Sequence, residues 1–416
     1  MIFSTISKWF SQSKPYEAKF IGWIFFQLGL LLLPSTVLVA AICLVLASIL
    51  GGFNRLKLYL QDKWNYPLIL IATLMVIGSF YAYTGWLAWV GLANFLPLFW
   101  VFWGLQVYLI SPDARLRSGI CLMLGSLPIL ITGFGQIFFG WSGPWQLLGG
   151  LIVWFVDPGG NPLGRLSGLF DYANIAGAWL VMVWPFCLAK LLDSSSKRFN
   201  RFLFLALAIA FVAAIILTDS RNAWGGLFLS IPFVFGPSYW IWLLPLLMLF
   251  LSPILLAVIP GLNTDIQSFF RTIVPESIWA RLNDMKYAQG RLFDETRLGQ
   301  WNFALKLVLE KPWLGWGAAA FSVLYPLRVG VIKFGNLLWL GHSHNFPLEI
   351  AVSHGAPVSF LIVVFVFALL IATLKKGVLR RTSTMFDRAW WSSAFVLVFL
   401  HAADMPFFDS RLNIAG

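Results

Sequence analysis

The chain contains 416 residues, of which 59% are hydrophobic and only 11% are charged. Because a soluble domain carries about a quarter charged residues, this composition excludes an ordinary water-soluble enzyme and predicts an all-α, polytopic integral membrane protein. The formal net charge of +12 is expected to come from basic cytoplasmic loops, so the lipid bilayer is a predicted partner and nucleic acid is not.

Apolar runs follow one another along most of the chain. The first two, Phe20–Leu33 and Thr36–Leu50, are short and are separated by Pro34, which predicts a tight hairpin of two helices. Trp145–Val156 is too short to cross a membrane and is expected to lie along the interface or to dip back into it. Further spans are predicted at about 67–84, 86–110, 117–140, 172–192, 202–218, 222–236, 238–259, 343–373 and 388–405, giving about 11–12 transmembrane helices.

Basic residues recur at every second short loop between these runs. The positive-inside rule therefore predicts a multi-pass protein whose N-terminus and basic loops are cytoplasmic. The residues concerned are Lys8, Lys14, Arg55, Lys57, Lys63, Arg115, Arg117, Lys197, Arg198, Arg201, Lys375, Lys376, Arg380 and Arg381.

One long loop divides the chain into N-terminal transmembrane helices (1–259), an extracytoplasmic loop (260–342) and C-terminal transmembrane helices (343–416). Within the loop, Leu298, Trp301, Leu305 and Val308 have helical spacing and are predicted to share one apolar face. Pro312 is expected to end this amphipathic helix.

Two histidines lie where the long loop returns to the membrane. Neutral imidazole accepts a proton near pH 7, so His344 is a candidate general base. His342 and His344 could together bind zinc, but no third ligand has matching spacing, and no metal or other cofactor is predicted. Further along the same helix, Glu349 is expected to pair locally and His354 to be packed and hydrogen-bonded.

Three arginines fall on the same predicted face as these histidines. A guanidinium group matches the oxygens of a phosphate, so Arg165, Arg221 and Arg297 are candidate anion-binding residues. Each has a structural alternative: Arg165 as an interface anchor, Arg221 as the partner of Asp219, and Arg297 on a solvated helix face.

A polar segment, His401–Arg411, follows the last predicted span. Its Asp404 is expected either to orient His344 or to balance the charge of the arginines. The alternative is an ordinary polar residue at a helix end.

At these residues the chain resembles the O-antigen ligase and polymerase-related membrane family, over most of its length and best from about 160 to 410. The ligase pattern matches at His344-Asn345 and, after nine residues, at Gly355, and departs from the family at Val358. The other similarities are the Thr218–Arg221 step, Arg297 placed before Trp301, and the turn Pro312–Gly317.

The resemblance implies transfer of a glycan from an undecaprenyl-diphosphate carrier to a glycan or lipid acceptor, at the outer face of the plasma (inner) membrane. It implies that Arg221 and Arg297 bind the diphosphate, that His344 is the catalytic base, that Asp404 assists it, and that Arg165 contacts carrier or acceptor. Two charge-neutralising arginines can help diphosphate leave without a metal, so a metal-independent glycosyltransferase is expected.

Two other classes of function stay open at this point. A membrane transporter of a small anion such as bicarbonate would also use basic residues at one mouth, although it should carry ionisable groups near the middle of the bilayer. A non-catalytic assembly partner would tolerate replacement of Arg221, Arg297 and His344 together.

Overall fold

The computed structural model describes residues 13–53, 55–193, 198–282, 293–330, 332–333, 336–337, 340–380 and 382–415. Lys8, Lys197 and Arg381, which entered the topology prediction, lie outside the described residues. Helices make up nearly all of the regular structure in the described part, where strands occur in two short antiparallel hairpins. This confirms the all-α class.

The helices are numbered in chain order. They are α1 Phe20–Leu32, α2 Val37–Gly52, α3 Leu56–Gln61, α4 Asn65–Phe80, α5 Trp86–Leu92, α6 Leu96–Gly104, α7 Pro112–Gly125, α8 Leu127–Phe138, α9 Ala173–Leu192, α10 Arg198–Leu217, α11 Arg221–Phe235, α12 Pro237–Val258, α13 Thr264–Ile273, α14 Glu276–Leu282, α15 Arg297–Glu310, α16 Ala320–Val329, α17 Phe346–His354, α18 Ala356–Leu374, α19 Met385–Leu400 and α20 Ser410–Ala415. The strands are β1 Trp145–Leu147, β2 Ile152–Trp154, β3 Ile332–Lys333 and β4 Asn336–Leu337.

Five helical segments of the described chain are long and apolar enough to cross a membrane, which agrees with a polytopic membrane protein. Five shorter apolar helices accompany them, including the α1–α2 hairpin that Pro34 was predicted to divide. The five long segments are Trp86–Tyr108, Pro112–Phe138, Ala173–Leu192, Pro237–Val258 and Ala356–Leu379.

Helix α9 lies at the centre of the main apolar core and contacts α7, α10, α11 and α19. Its small residues let neighbouring backbone approach closely. At Gly177 a Cβ atom would come within 2.9 Å of the Thr218 hydroxyl oxygen, so this glycine allows the turn between α10 and α11 to sit directly against α9. That turn carries Arg221.

The single span predicted at 343–373 is wrong, because the chain breaks at Gly355 into α17 and α18. Gly355 has a φ of +90°, and a side chain there would collide with the carbonyl oxygen of Trp313. The turn after α15 inserts at this break, with Trp316 N donating to Val352 O at 2.8 Å. α17 is therefore a short helix with its own orientation.

Helix α15 forms and ends at Glu310, before Pro312 as predicted, but the predicted apolar face is only partly correct, because Val308 is buried whereas other members of that face are not. Leu298 and Leu305 are 64% and 48% exposed, whereas Gln300, Ala304 and Leu307 are buried. Packing against α17 selects the buried face, and that contact joins segments far apart in the sequence.

The short segment predicted to lie along or dip into the interface forms the β1–β2 hairpin, in which Trp145 pairs with Trp154. The indole of Trp154 donates to Ser35 O at 3.0 Å, so the hairpin is fastened to the turn between α1 and α2.

Candidate active site

Asp404 is the centre of the polar cluster that the structure assembles. It lies in the turn after α19, and its side chain is 17% exposed. Its Oδ1 lies 3.2 Å from His344 Nδ1, and its Oδ2 lies 3.6 Å from Arg297 Nη2. Asn174 Nδ2 donates to Oδ2 at 3.2 Å. Three segments widely separated in the sequence therefore meet at one carboxylate.

Backbone contacts hold His344 beside this carboxylate. Asn345 caps α17 by accepting from Leu348 N at 3.0 Å, and its amide donates to Ala402 O at 2.9 Å. Phe346 N donates to His401 O at 3.0 Å. These bonds join the start of α17 to the turn that contains Asp404, so the imidazole and the carboxylate are positioned by a shared scaffold.

His344 has a φ of +54°, in the left-handed region that non-glycine residues rarely occupy. Such backbone strain persists where the surroundings fix it, and it is common at functional sites. With a proton on Nδ1 directed at Asp404, Nε2 carries the lone pair and can accept a proton. The pair therefore has the chemical form of an oriented general base.

His342 packs against His344 without repeating its role. Its Nδ1 accepts from His344 N at 3.3 Å, and its ring stacks on Phe408. Burial lowers the pKa of His342 to about 4, with His344 and Arg297 acting in the same direction and Asp404 opposing them. His342 is therefore neutral at physiological pH and helps to fix the backbone of His344.

Asp404 is ionised under all ordinary conditions. Burial alone would raise the pKa of its carboxyl group, but the hydrogen bond and charge of His344, together with the charge of Arg297, lower it to about 2. A permanent carboxylate is suited to stabilise an imidazolium ion when His344 takes up a proton.

Arg297 is the first residue of α15, and Thr296 caps this helix by accepting from Gly299 N at 3.2 Å. Its side chain is 29% exposed. A cation that contacts the cluster and stays partly accessible to solvent retains donors for a ligand, because a guanidinium has five N–H groups.

Arg165 is linked to the cluster through one intermediate residue. It is 7% exposed, its Nε donates to Thr218 O at 2.8 Å, and its Nη2 donates to Asn174 Oδ1 at 2.5 Å. Since Asn174 in turn donates to Asp404, Arg165 lies behind the cluster and braces both α9 and the turn that precedes Arg221.

Arg221 begins α11, with Ser220 as its N-cap residue. Its neighbour Asn222 lines a small cavity of about 10 Å³ together with Asn174 and Asp404. Arg221 therefore lies in a segment that borders the cluster, whereas Arg297 and His344 contact Asp404 directly.

The sequence did not single out Asn174, which belongs to the cluster, or Arg281, which holds the turn before Arg221. Arg281 is 8% exposed, and its Nε donates to Asp219 O at 3.1 Å and lies 3.3 Å from the Asp219 carboxylate. No local pattern marks either residue, because each acts only through partners that tertiary folding supplies.

A larger cavity of about 220 Å³ lies between the α1–α2 turn, strand β2 and Asp171. Its lining includes none of the predicted site residues. The candidate site is instead the polar cluster around Asp404, which borders the smaller cavity. In the described part of the chain, no three histidine, cysteine or acidic side chains are grouped to hold a metal ion.

Glu349 and His354, the two other polar residues considered in this segment, are buried in the protein. The buried carboxylate of Glu349 accepts from Ser343 N at 2.9 Å, which is the local pairing predicted for it. His354 is packed against Phe95 as expected, but its buried Nε2 has no hydrogen-bond partner among the residues that the structure describes.

Comparison with known protein families finds one match within the chain. Residues 202–363 match the family model described as O-Antigen ligase. The resemblance recognised in the sequence is therefore confirmed over this segment, which contains Arg221, Arg297 and His344, whereas Arg165 and Asp404 lie outside it. The O-Antigen ligase family is associated with glycan transfer in polysaccharide biosynthesis. A search of curated proteins finds no match to the chain.

Proposed function

We propose that this protein transfers a glycan from undecaprenyl diphosphate to a hydroxyl group of a glycan or lipid acceptor, at the outer face of the plasma membrane. The observation that carries the proposal is the contact of His344 and Arg297 with the two oxygens of one carboxylate, Asp404. A proton acceptor and an anion-binding cation are thereby held side by side, as a transfer from a diphosphate requires.

In the proposed reaction, Nε2 of His344 takes the proton of the acceptor hydroxyl. The acceptor oxygen forms a bond to the anomeric carbon of the donor sugar, and the bond from that carbon to the diphosphate oxygen breaks. A single displacement of this kind inverts the anomeric configuration. The bonding electrons leave with the diphosphate, and the proton ends on imidazole.

Arg297 and Arg221 are proposed to bind the diphosphate and stabilise the charge that grows on it during bond breaking. Fixed positive charge aimed at a leaving group lowers the barrier without solvent reorganisation. Asp404 holds His344 in the required tautomer and stabilises its protonated form. No metal is needed in this division of roles, because the arginines supply the electrophilic help.

Arg165 is proposed to act as a positioning residue, although the family resemblance implied contact with carrier or acceptor. Its burial and its bonds to Thr218 and Asn174 favour bracing over direct ligand contact. In this role it keeps Asn174 directed at Asp404 and fixes the turn that leads to Arg221.

The anion-transporter alternative gains no support from a specific observation. The clustered ionisable residues lie at helix ends and turns, whereas transport requires such groups along the path across the bilayer. The decisive experiment reconstitutes the protein in sealed vesicles and measures glycan transfer and bicarbonate flux in the same preparation. Transfer without flux supports the proposal, and flux without transfer overturns it.

A further inference from the structure

Helix α13 has an apolar face that no other described part of the chain covers. Ile266, Phe269 and Ile273 are 45%, 59% and 56% exposed, and their spacing puts them on one side of the helix. The opposite side carries polar residues, among them Ser268 and Arg271. Exposed apolar area of this kind marks an interaction surface.

Hydrogen bonds from the polar side of α13 hold this helix beside one end of α12, a helix long and apolar enough to cross a membrane. Arg271 Nε donates to Ala257 O at 3.1 Å, and Gln267 Nε2 donates to Ile259 O at 3.1 Å. These carbonyl groups are at the end of α12, where a helix leaves its last carbonyls without internal partners. α13 therefore lies beside the point at which α12 leaves the hydrocarbon region.

The surface of α12 continues the apolar face of α13. Ala257 is the only buried residue along this helix, whose composition is that of a membrane span. An exposed apolar span is covered by lipid chains. Because α13 packs beside the end of α12, its apolar face contacts the same lipid. Asp265 and Arg271 give the polar side balanced charge, which favours no strongly charged partner.

We propose that α13 lies in the membrane interface, with Ile266, Phe269 and Ile273 inserted among phospholipid chains and its polar side facing water. The partner is thus the lipid surface itself. The charge balance predicts insertion into neutral phosphatidylcholine without any requirement for anionic lipid.

This placement has a consequence for the candidate site, and that consequence rests on the proposed function. Arg271 stacks on Trp279 of α14 at 4.6 Å, and α14 carries Arg281, which binds Asp219. A continuous set of contacts therefore runs from the interfacial helix to the turn before Arg221. α13 would set the height of that turn at the level of a lipid-borne diphosphate.

Site-directed spin labelling tests the insertion directly. Cys43, Cys121 and Cys187 are buried, so an introduced exposed cysteine is labelled preferentially, with the unmodified protein as background. The matched pair is Phe269→Cys on the apolar face and Ser268→Cys one residue away on the polar face. Both labelled proteins are first required to keep the parent's unfolding temperature in phosphatidylcholine vesicles, and Ile273→Cys replaces Phe269→Cys if that variant fails.

Power saturation then compares collisions with oxygen, which concentrates in lipid, and with a water-soluble nickel chelate. We expect the collision rate with oxygen to exceed that with the chelate several-fold for the label at position 269. The label at position 268 should show the reverse. Equal access of the chelate to both positions overturns the proposal in favour of a water-exposed loop. Exclusion of both reagents at 269 overturns it in favour of a protein partner. Neither readout requires transfer activity, so failure of the proposed glycan transfer would leave this result intact.

Discussion

Nδ1 of His344 lies 3.2 Å from Oδ1 of Asp404, although the two residues are 60 positions apart, one before α17 and the other after α19. The strongly lowered pKa of Asp404, about 2, keeps this partner ionised throughout the range in which enzymes work. The contact fixes which imidazole nitrogen can accept a proton.

Replacement of the carboxylate by an amide tests this orientation. Asp404→Asn preserves shape but can hold His344 in the wrong tautomer and cannot stabilise an imidazolium ion. We expect the transfer rate at saturating carrier to fall by roughly 10²–10⁴, the usual contribution of acid–base catalysis. Asp409→Asn is the control, because the Asp409 carboxylate pairs with Arg411 and accepts from Arg411 N, so its loss does not remove the partner of His344. Equal losses in both variants would argue against a specific role for Asp404.

Arg297→Lys distinguishes a forked donor from a simple positive charge. Lysine keeps the charge but loses the paired N–H groups that match a phosphate. We expect kcat/KM for the carrier to fall by about 10²–10³, while the unfolding temperature changes little because the ion pair is partly exposed. Arg328→Lys, in an exposed pair with Glu310, should leave kinetics unchanged. An unaltered kcat/KM in Arg297→Lys would remove this residue from the diphosphate site.

Arg165→Met separates bracing from ligand binding. The substitution leaves the carbonyl of Thr218 without this donor, which should cost about 1–3 kcal/mol of folding stability. We expect a lower unfolding temperature and a lower kcat, with KM for the carrier nearly unchanged. Arg328→Met is again the exposed control. A raised KM at undiminished stability would show instead that Arg165 contacts the substrate.

The lowered pKa of His342 predicts a pH-dependent stability. The folded state holds this imidazole neutral down to a pKa of about 4, whereas the unfolded chain protonates at the ordinary value of 6.5. The stability contribution is therefore complete above pH 6.5 and is lost as the pH falls from 6.5 towards 4. His342→Asn keeps an acceptor for His344 N and does not titrate.

Unfolding temperatures of both proteins measured from pH 7.5 to pH 4.5 check this reasoning. The parent should lose more stability than His342→Asn over that range. The other histidines and Asp404 are common to both proteins, so the difference between the two curves reports mainly the titration of His342. Parallel curves would show that His342 does not respond to pH in the way its burial requires.

The sequence predicted the parts of the fold that depend on local chemistry. Pro34 divides the first hairpin, and α15 ends at Glu310, just before Pro312. The meeting of His344 with Asp404 was also among the predictions, because both residues flank spans that end on one face. These features need only composition, helix caps and the alternation of loops.

The parts that the sequence did not predict depend on contacts between distant segments. The helix breaks at Gly355 because the turn around Trp313 packs there. A glycine within an apolar run does not by itself predict such a break. The buried face of α15 is selected by α17. The roles of Asn174 and Arg281 depend on Asp404 and Asp219, which lie beside them only in the folded chain.

The most direct test of the account is chemical rescue of a variant that lacks the proposed base. In sealed vesicles with a labelled undecaprenyl-diphosphate glycan and its acceptor, His344→Ala should lose transfer by about 10²–10⁴ and regain part of it when imidazole is added. His354→Gln, at the far end of the helix that follows His344, should transfer at a near-normal rate. Full transfer activity in His344→Ala without imidazole would contradict the central claim.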